Sequence, residues 1–526
     1  MSTPATSTVR FADRDNRYVL AVDLGTGGPK VGFVSLTGRV AQCEHHRLDP
    51  TFLPDGGVTV DADEWWTIIF DSARRALADG VVDPATVVAV SMTGQWASTI
   101  PVDEAGIPVA PGLSWMDSRG GELVRDRLGG PVGGYKPRAL AEFIRRSGGV
   151  PSLDGADPVG HRLYWRNAQP DTWDAARWLL EPVDYLSMRF TGIAAASAVS
   201  MTGSWLVDTR DPANLAYDAT LVRLAGGGAD KLPPLRRFGS VVGTVQPTVA
   251  EALGIGDSVA VITGSPDLHS AAIGAGTVGV GEAHMALSTT GWISTSIDRK
   301  KTDLIRQVAT VPGVDKRSYL VANNHETAGM CLQWFRGILG GPESEIDYDA
   351  LASLAASSPP GAGGVIFTPW LKGERSPVAD RAARAGFHDM GLATTRADLV
   401  RAVMEGVAYN NVWLLAAVER FVSGRLDNIR IIGGGAQSEL WCQIHADTMD
   451  RTIEQVAEPL YCGLRGAALS AGMALGVVEA DELRDLVEVE RTFRPDPSNR
   501  ATYDRLYAEF PGLYSMQRKF FRRLNR

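Results

Sequence analysis

The sequence predicts an α/β protein built from two similar halves. Three observations carry that expectation. Residues 19–34 hold two apolar runs, Val19-Leu20-Ala21-Val22 and Val31-Gly32-Phe33-Val34, around the loop Asp23-Leu24-Gly25-Thr26-Gly27-Gly28-Pro29-Lys30. A weaker copy recurs further on, where His284-Met285-Ala286-Leu287 passes through Ser288-Thr289-Thr290-Gly291 into Trp292-Ile293-Ser294-Thr295. The length, 526 residues, exceeds what one ordinary core organises, so two domains or more are expected.

Taken in order, residues 1–17 are polar without an apolar core, so no secretory leader is expected. Residues 18–40 read as strand, glycine loop, strand, a turn at Leu36-Thr37-Gly38-Arg39, and strand. Residues 63–77 set Trp66, Ile69, Phe70 and Ala73 on one side at helical spacing. A short buried strand at 87–92 ends at Thr93-Gly94-Gln95, and residues 100–110 alternate around an Asp103-Glu104-Ala105-Gly106 turn as a hairpin does. A helical middle with Trp165, Trp173 and Trp178 gives way to a glycine- and proline-rich loop at 225–235. The apolar run at 259–263 leads into Gly264-Ser265-Pro266-Asp267 and a small-residue helix from Leu268. A boundary near 255–260 divides the chain into 1–255 and 256–526. In the second part Ile429-Arg430-Ile431-Ile432 leads into Gly433-Gly434-Gly435-Ala436 and a helix from about Ser438 to Met449. Beyond Gly476 the chain reads as helical trim.

Composition removes several classes. A net charge of −9 without a basic stripe gives no support to nucleic-acid or anionic-membrane binding. No apolar run nears the roughly 20 residues of a membrane helix. Cys43, Cys331, Cys442 and Cys462 are scattered with no CxxC pair, which fits reduced thiols and a cytoplasmic protein.

The first loop has the makings of a nucleotide–metal hairpin. Glycines let backbone N–H groups approach phosphate, and Thr26 and Lys30 can complete the cradle. Asp23 cannot neutralise phosphate but can hold the magnesium that accompanies a nucleotide. There is no GxxxxGK[ST] loop, so the chemistry is not of that type. Gly274-Ala275-Gly276-Thr277-Val278-Gly279 matches GxGxxG but follows a helix rather than a strand, which removes its dinucleotide reading. His325-Glu326 opens a zinc-protease motif that Gly329 breaks. Asp267, just past a buried strand, is either a first-turn helix acid or a general base for an alcohol attacking a phosphoryl group. Gln95-Trp96-Ala97 follows one strand end and Trp115-Met116-Asp117-Ser118-Arg119 follows a hairpin, where aromatic faces and polar groups can meet a polyol. Core packing for the tryptophans and a structural ion pair for Asp117 and Arg119 are the alternatives. Gly433-Gly434-Gly435 is either a turn or a floor for a nucleoside beside a helix N-terminus.

Together these residues resemble the FGGY carbohydrate kinases, from about Tyr18 to Gly476. The resemblance rests on Asp23-Leu24-Gly25-Thr26, Gly94-Gln95, Trp115-Met116-Asp117-Ser118-Arg119, Asp184-Tyr185-Leu186, Gly264-Ser265-Pro266-Asp267, Leu287-Ser288-Thr289-Thr290-Gly291, Glu405-Gly406-Val407-Ala408 and Gly433-Gly434-Gly435-Ala436. It implies two actin-like (ribonuclease H-like) domains with an interdomain catalytic cleft, the first for sugar and the second for ATP. It further implies Asp267 as catalytic base, Asp23 near magnesium, and Thr26, Lys30, Thr289, Gly329, Gln333, Gly434, Gly435 and Glu439 around ATP. Gln95, Trp96, Ala97, Asp117 and Arg119, with Asp267, would meet the substrate, a ketopentose such as xylulose or a related polyol. A homodimer is compatible with that reading. Where similar xylulokinases and glycerol kinases carry a polar side chain, this chain has Ala97, which removes a partner for a substrate hydroxyl. A non-catalytic sugar or nucleotide sensor on the same fold is the rival.

Overall fold

The structure, a computed structural model, describes residues 15–340 and 346–525; most of the expected lead-in at 1–17 lies outside them. The described chain forms two compact units. One runs to Gly276 and regains residues 312–317 and 463–487; the other holds 277–311, 318–462 and 488 onward. Among the described residues no helix is long and apolar enough to cross a membrane.

In the first unit β1 (Tyr18–Gly25), β2 (Gly28–Ser35) and β3 (Val40–His45) form the antiparallel meander read from the sequence. After α1 (Ala62–Ala78) comes β4 (Val87–Gly94), which pairs parallel with β1. Helix α2 (Pro182–Thr191) precedes β5 (Val241–Thr244), β6 (Ala260–Ile262) and the two-residue β7 (Ser265–Pro266), which runs directly into α3 (Asp267–Gly274). The sheet order is β5-β6-β4-β1-β2-β3, with β7 also on β4. Val19, Ala21, Val22 and Leu24 in β1 are fully buried, as expected of a central strand covered on both faces. Helix α1, whose Asp61 cap accepts the Glu64 amide, lays Trp65, Ile69 and Ala73 on this core.

The second unit repeats the plan. β8 (Ala283–Leu287) and β9 (Gly291–Ile297) form a hairpin, followed by β10 (Thr302–Asp303), β11 (Val308–Pro312) and β12 (Tyr319–Ala322). Then come α4 (Gly329–Gly340), α5 (Arg396–Val422), β13 (Asn428–Ile432), α6 (Glu439–Met449), β14 (Thr452–Val456), β15 (Val489–Phe493) and α8 (Arg500–Leu524), while α7 (Cys462–Ala474), which lies between β14 and β15 in sequence, belongs from Gly463 onward to the first unit. The order is β10-β11-β12-β9-β8-β13-β14-β15. In each unit the opening strand pairs antiparallel with its successor and parallel with a later strand, β4 on β1 and β13 on β8.

One expectation fails at the end of the chain. Residues past Gly476 are not all helical trim, because β15 pairs antiparallel with β14 and closes one edge of the second sheet. The alternation Val489-Glu490-Arg491-Thr492-Phe493, with only Phe493 buried, is the pattern of a half-covered edge strand.

Helix α5 is buried along most of its length. It starts in a capping box of Thr395 and Asp398, and Gly406 lets it press against the Phe367 carbonyl, where a Cβ would stand 2.1 Å from that oxygen. Its Arg401–Glu405 pair (2.7 Å) is buried, and Glu405 also accepts from Tyr503 of α8 and the Gly361 amide. Breaking such a pair strands a charge in the core. Arg401→Met should therefore lose about 3–5 kcal/mol, read as a lower urea midpoint at unchanged slope.

Candidate active site

The β1–β2 register pairs Gly25 with Gly28 and leaves Thr26-Gly27 as a two-residue turn. Gly28 sits at φ +117°, and a Cβ there would meet the His46 carbonyl at 2.0 Å, so the position needs glycine. Pro29 is accommodated within β2 opposite Leu24. Asp23 and Lys30 are direct cross-strand partners and therefore share a face. Their Oδ2 and Nζ lie 2.9 Å apart, both side chains mostly buried.

Register also sets the second acid. Asp23 is level with Thr93 of β4, and Thr93 with Ser265 of β7. The Thr93 hydroxyl donates to the Ser265 carbonyl at 3.0 Å, and two residues later Asp267 opens α3. The two acids thus stand toward the carboxyl ends of two strands that flank β4 and run parallel to it, where open α/β sheets place ligands. Asp267 Oδ1 accepts the Leu268 amide at 2.7 Å, as a first-turn helix acid does, and its side chain keeps partial exposure. Burial raises its pKa to about 6; the Leu268 amide opposes that rise and the Asp23 charge adds to it.

Trp115 joins the hairpin to the loop after β4. Its indole N–H donates to Thr26 Oγ1 at 3.1 Å and its amide to Ser98 Oγ at 3.0 Å. Gln95 is buried, its amide on the Leu24 carbonyl and its Oε1 accepting weakly from Ser98 Oγ at 3.4 Å. Trp96 donates its indole N–H to the Ser200 carbonyl at 2.6 Å and meets the His269 ring edge-on. Ala97 is left-handed at φ +62°. Asp117 is fully buried: Oδ2 takes the Val58 amide and an Arg119 NH2 group (2.7 Å), and Oδ1 takes the Arg119 amide. Arg119 in turn lies over the Tyr164 ring. The ion pair allowed by the sequence is therefore present, and Asp117 spends its oxygens on it.

The second unit gathers a different set. The Ser288-Thr289-Thr290 loop between β8 and β9 is clasped by the segment before α4: the Gly329 amide donates to the Ser288 carbonyl at 2.6 Å, the Ala328 amide to the Thr289 carbonyl at 3.0 Å, and His325 bridges Gly291. A Cβ on Gly329 would meet the Ser288 carbonyl at 2.6 Å; one on Gly433, at φ +93°, would meet Ser288 Oγ at 2.5 Å; one on Gly435 would meet Leu287 Cγ at 2.5 Å. Thr289, Gly329, Gly434 and Gly435 therefore belong to one backbone-lined patch of donors and hydroxyls. Gln333 is exposed one turn along α4, and Glu439, exposed at the start of α6, pairs with Arg491.

Sequence reasoning missed three features. One is the Trp115 indole bond to Thr26, for which only the strand-end tryptophan gave a signal. Another is buried His325, whose Nδ1 lies 3.2 Å from Glu374 beside Asn410 and braces the second loop from behind. The third is Gly463, whose Cα lies against the Asp23 carboxylate.

Comparison with known proteins adds three findings. The N-terminal domain of the FGGY family of carbohydrate kinases matches residues 18–274, and the C-terminal domain of that family matches residues 288–475. A xylulose kinase of Staphylococcus epidermidis is 26% identical over 505 residues, covering 95% of this chain and 97% of that one, and a gluconokinase of Bacillus subtilis is 24% identical over 495 residues, covering 91% and 92%. A solved ligand-bound xylulose kinase from Lactobacillus acidophilus superposes with a TM-score of 0.83 at 21% identity, covering 97% and 100%, a likeness of fold.

The raised Asp267 pKa has a consequence for stability. In the folded protein the group holds its proton up to about 6, against 3.8 ordinarily, so ionisation above that range opposes folding. The penalty is absent below the unfolded value and complete above the folded one. Asp267→Asn should then raise the melting temperature at pH 8 and leave it nearly unchanged at pH 4, measured by calorimetry.

Proposed function

The chain belongs to the FGGY family of carbohydrate kinases, and from that premise we propose that it transfers the γ-phosphoryl group of ATP to a hydroxyl of a ketopentose such as xylulose. The observation that carries this reading is Asp267: a half-recessed carboxylate at a strand end, next to Asp23 and the Thr26 turn, with its pKa raised toward neutrality. Phosphoryl transfer asks for positioning, charge neutralisation and a group to take the hydroxyl proton. Asp267 accepts that proton as the sugar oxygen bonds to phosphorus and the bond to the ADP oxygen breaks. Trp96, Ala97 and Gln95, with Arg119 locked in place by Asp117, frame the sugar. Thr26 and Lys30 in the first unit, and Thr289, Gly329, Gln333, Gly434, Gly435 and Glu439 in the second, serve the nucleotide.

Asp23 fits a magnesium ion that arrives with the nucleotide. Among the described residues no group of three or more His, Cys, Asp or Glu forms a cage. One or two carboxylates completed by phosphate oxygens and water is the usual magnesium donor set, and Asp23 offers it. Bound there, the ion would neutralise charge on the phosphates.

Two measurements test the proposal. Asp267→Ala should abolish sugar-dependent ADP release, a loss of 10³-fold or more by order of magnitude for a positioned base plus its orienting role, while nucleotide affinity by calorimetry stays near that of the parent. Turnover like the parent's in that variant overturns the assignment. A coupled ADP-release screen over pentuloses, hexuloses, gluconate, glycerol and tetritols should give the highest kcat/KM with a ketopentose; no turnover with any acceptor would favour the sensor.

A further inference from the structure

Helix α7 enters the first unit from far along the chain and touches it through glycines. Gly466 lies on α3, where a Cβ would stand 2.0 Å from the Ser270 carbonyl, one turn past Asp267. Gly472 lies on the end of β2, where a Cβ would stand 2.5 Å from the Leu36 carbonyl. Immediately before Gly466 in sequence, Arg465 Nε donates to the Gly38 carbonyl at 3.2 Å. These three contacts seat the helix on backbone. Gly463, in the first turn, meets something else: a Cβ there would stand 2.7 Å from Asp23 Oδ2 and 2.9 Å from its Cγ.

Asp23 is therefore held from two sides. Lys30 Nζ binds Oδ2 at 2.9 Å across the hairpin, and the first turn of α7 walls the carboxylate with bare backbone. The positive end of a 13-residue helix favours a negative group at that wall. The Asp23 charge is also one of the causes that raise the Asp267 pKa, so the position of one acid is felt at the other.

We infer that Gly463 is a positioning residue for phosphoryl transfer: its missing side chain lets the first turn of α7 fix the Asp23 carboxylate beside Asp267. The inference rests on the reading of Asp23 as the acid that meets magnesium and ATP. A methyl group at 463 must displace either α7 or the carboxylate. The helix is pinned at Gly466 and Gly472 against carbonyls that leave no slack, so the carboxylate yields. A shift on the order of 1 Å in a reacting site costs about 10²-fold.

The test is a cycle of Gly463→Ala, Asp23→Ala and the double variant in the full-length protein. Readouts are turnover, Mn²⁺ affinity with ADP present by electron paramagnetic resonance, and melting temperature. Gly463→Ala should lower kcat by roughly 10- to 100-fold and weaken Mn²⁺ binding, with the sugar KM unchanged. In the Asp23→Ala background the alanine should cost nothing further in Mn²⁺ affinity or melting temperature. The inference fails if Gly463→Ala matches the parent while Asp23→Ala does not, or if the alanine costs the same in both backgrounds. If Asp23→Ala itself keeps the parent's turnover and Mn²⁺ affinity, the role of Asp23 falls first and this inference with it. Should Gly463→Ala fail to fold, recovery of a cooperative melt in the double variant supports the contact, and no recovery overturns it.

Discussion

Everything in the first unit turns on holding two carboxylates close together where water is scarce. Such an arrangement is unfavourable: burial and a like charge both push Asp267 toward its protonated form. The fold sustains it by giving each acid a different anchor. Asp23 belongs to a central strand, pairs with Lys30 across a hairpin and rests on helix backbone at Gly463. Asp267 heads a helix and takes the amide of its own neighbour. The strands that carry them are tied through β4, by register and by the Thr93 hydroxyl. Stability is given up at this point, and in the proposed reading it is given up so that a base and a cation-binding acid can coexist.

The second unit uses the same hairpin plan without the acids. Where β1 carries Asp23 near its end, β8 ends in Leu287 with Ser288 following it, and the space around the turn is filled by glycine backbone from 329, 433 and 435. A patch built of N–H groups and small hydroxyls suits phosphate and a flat nucleoside, whereas carboxylates beside phosphate need a cation between them. One topology thus yields two chemically unlike surfaces, which is what unlike donor and acceptor substrates require.

Much of this was legible in the sequence because the signals are local. Apolar runs interrupted by glycines declare the two hairpins, and β7 into α3 was visible as Gly264-Ser265-Pro266-Asp267 before a small-residue helix. What escaped depends on residues distant in the chain. No local pattern says that Gly463 lies on Asp23, or that Asp117 is sealed by the Val58 amide, because each is decided by how whole elements stack. The edge strand at 489–493 was masked for a related reason: with one face open to solvent, its charges resemble those of an exposed helix. His325, Glu374 and Asn410 converge from three segments, and only packing brings them together.

In the proposed reading the loop at Trp96 and Ala97 shows how shape can stand in for a missing polar group. Ala97 offers no hydrogen bond, yet it is kept left-handed, a conformation costing on the order of 1 kcal/mol for a residue with a Cβ. Such strain persists only where neighbours over-determine it, and here they do. Trp96 is nailed to the Ser200 carbonyl, and its ring fits because residue 203 is glycine, where a Cβ would stand 2.4 Å from the indole nitrogen. Beneath the loop lies Glu181, almost wholly buried, its carboxylate faced by the Ala97 and Ser98 backbone amides and its pKa driven well up, chiefly by burial and also by neighbouring Asp184, against the pull of those amides. Asp184 itself takes the Ser200 hydroxyl at 2.5 Å. The loop is therefore fixed through its backbone and a tryptophan rather than through a side chain aimed at a hydroxyl. In the proposed reading an acceptor is chosen there by the contour of Trp96 and Ala97, with its polar contacts left to Arg119, Gln95 and the base. A contour of that kind separates acceptors by only about 1–3 kcal/mol per methylene-sized difference, which favours tolerance among related sugars over strict selection of one.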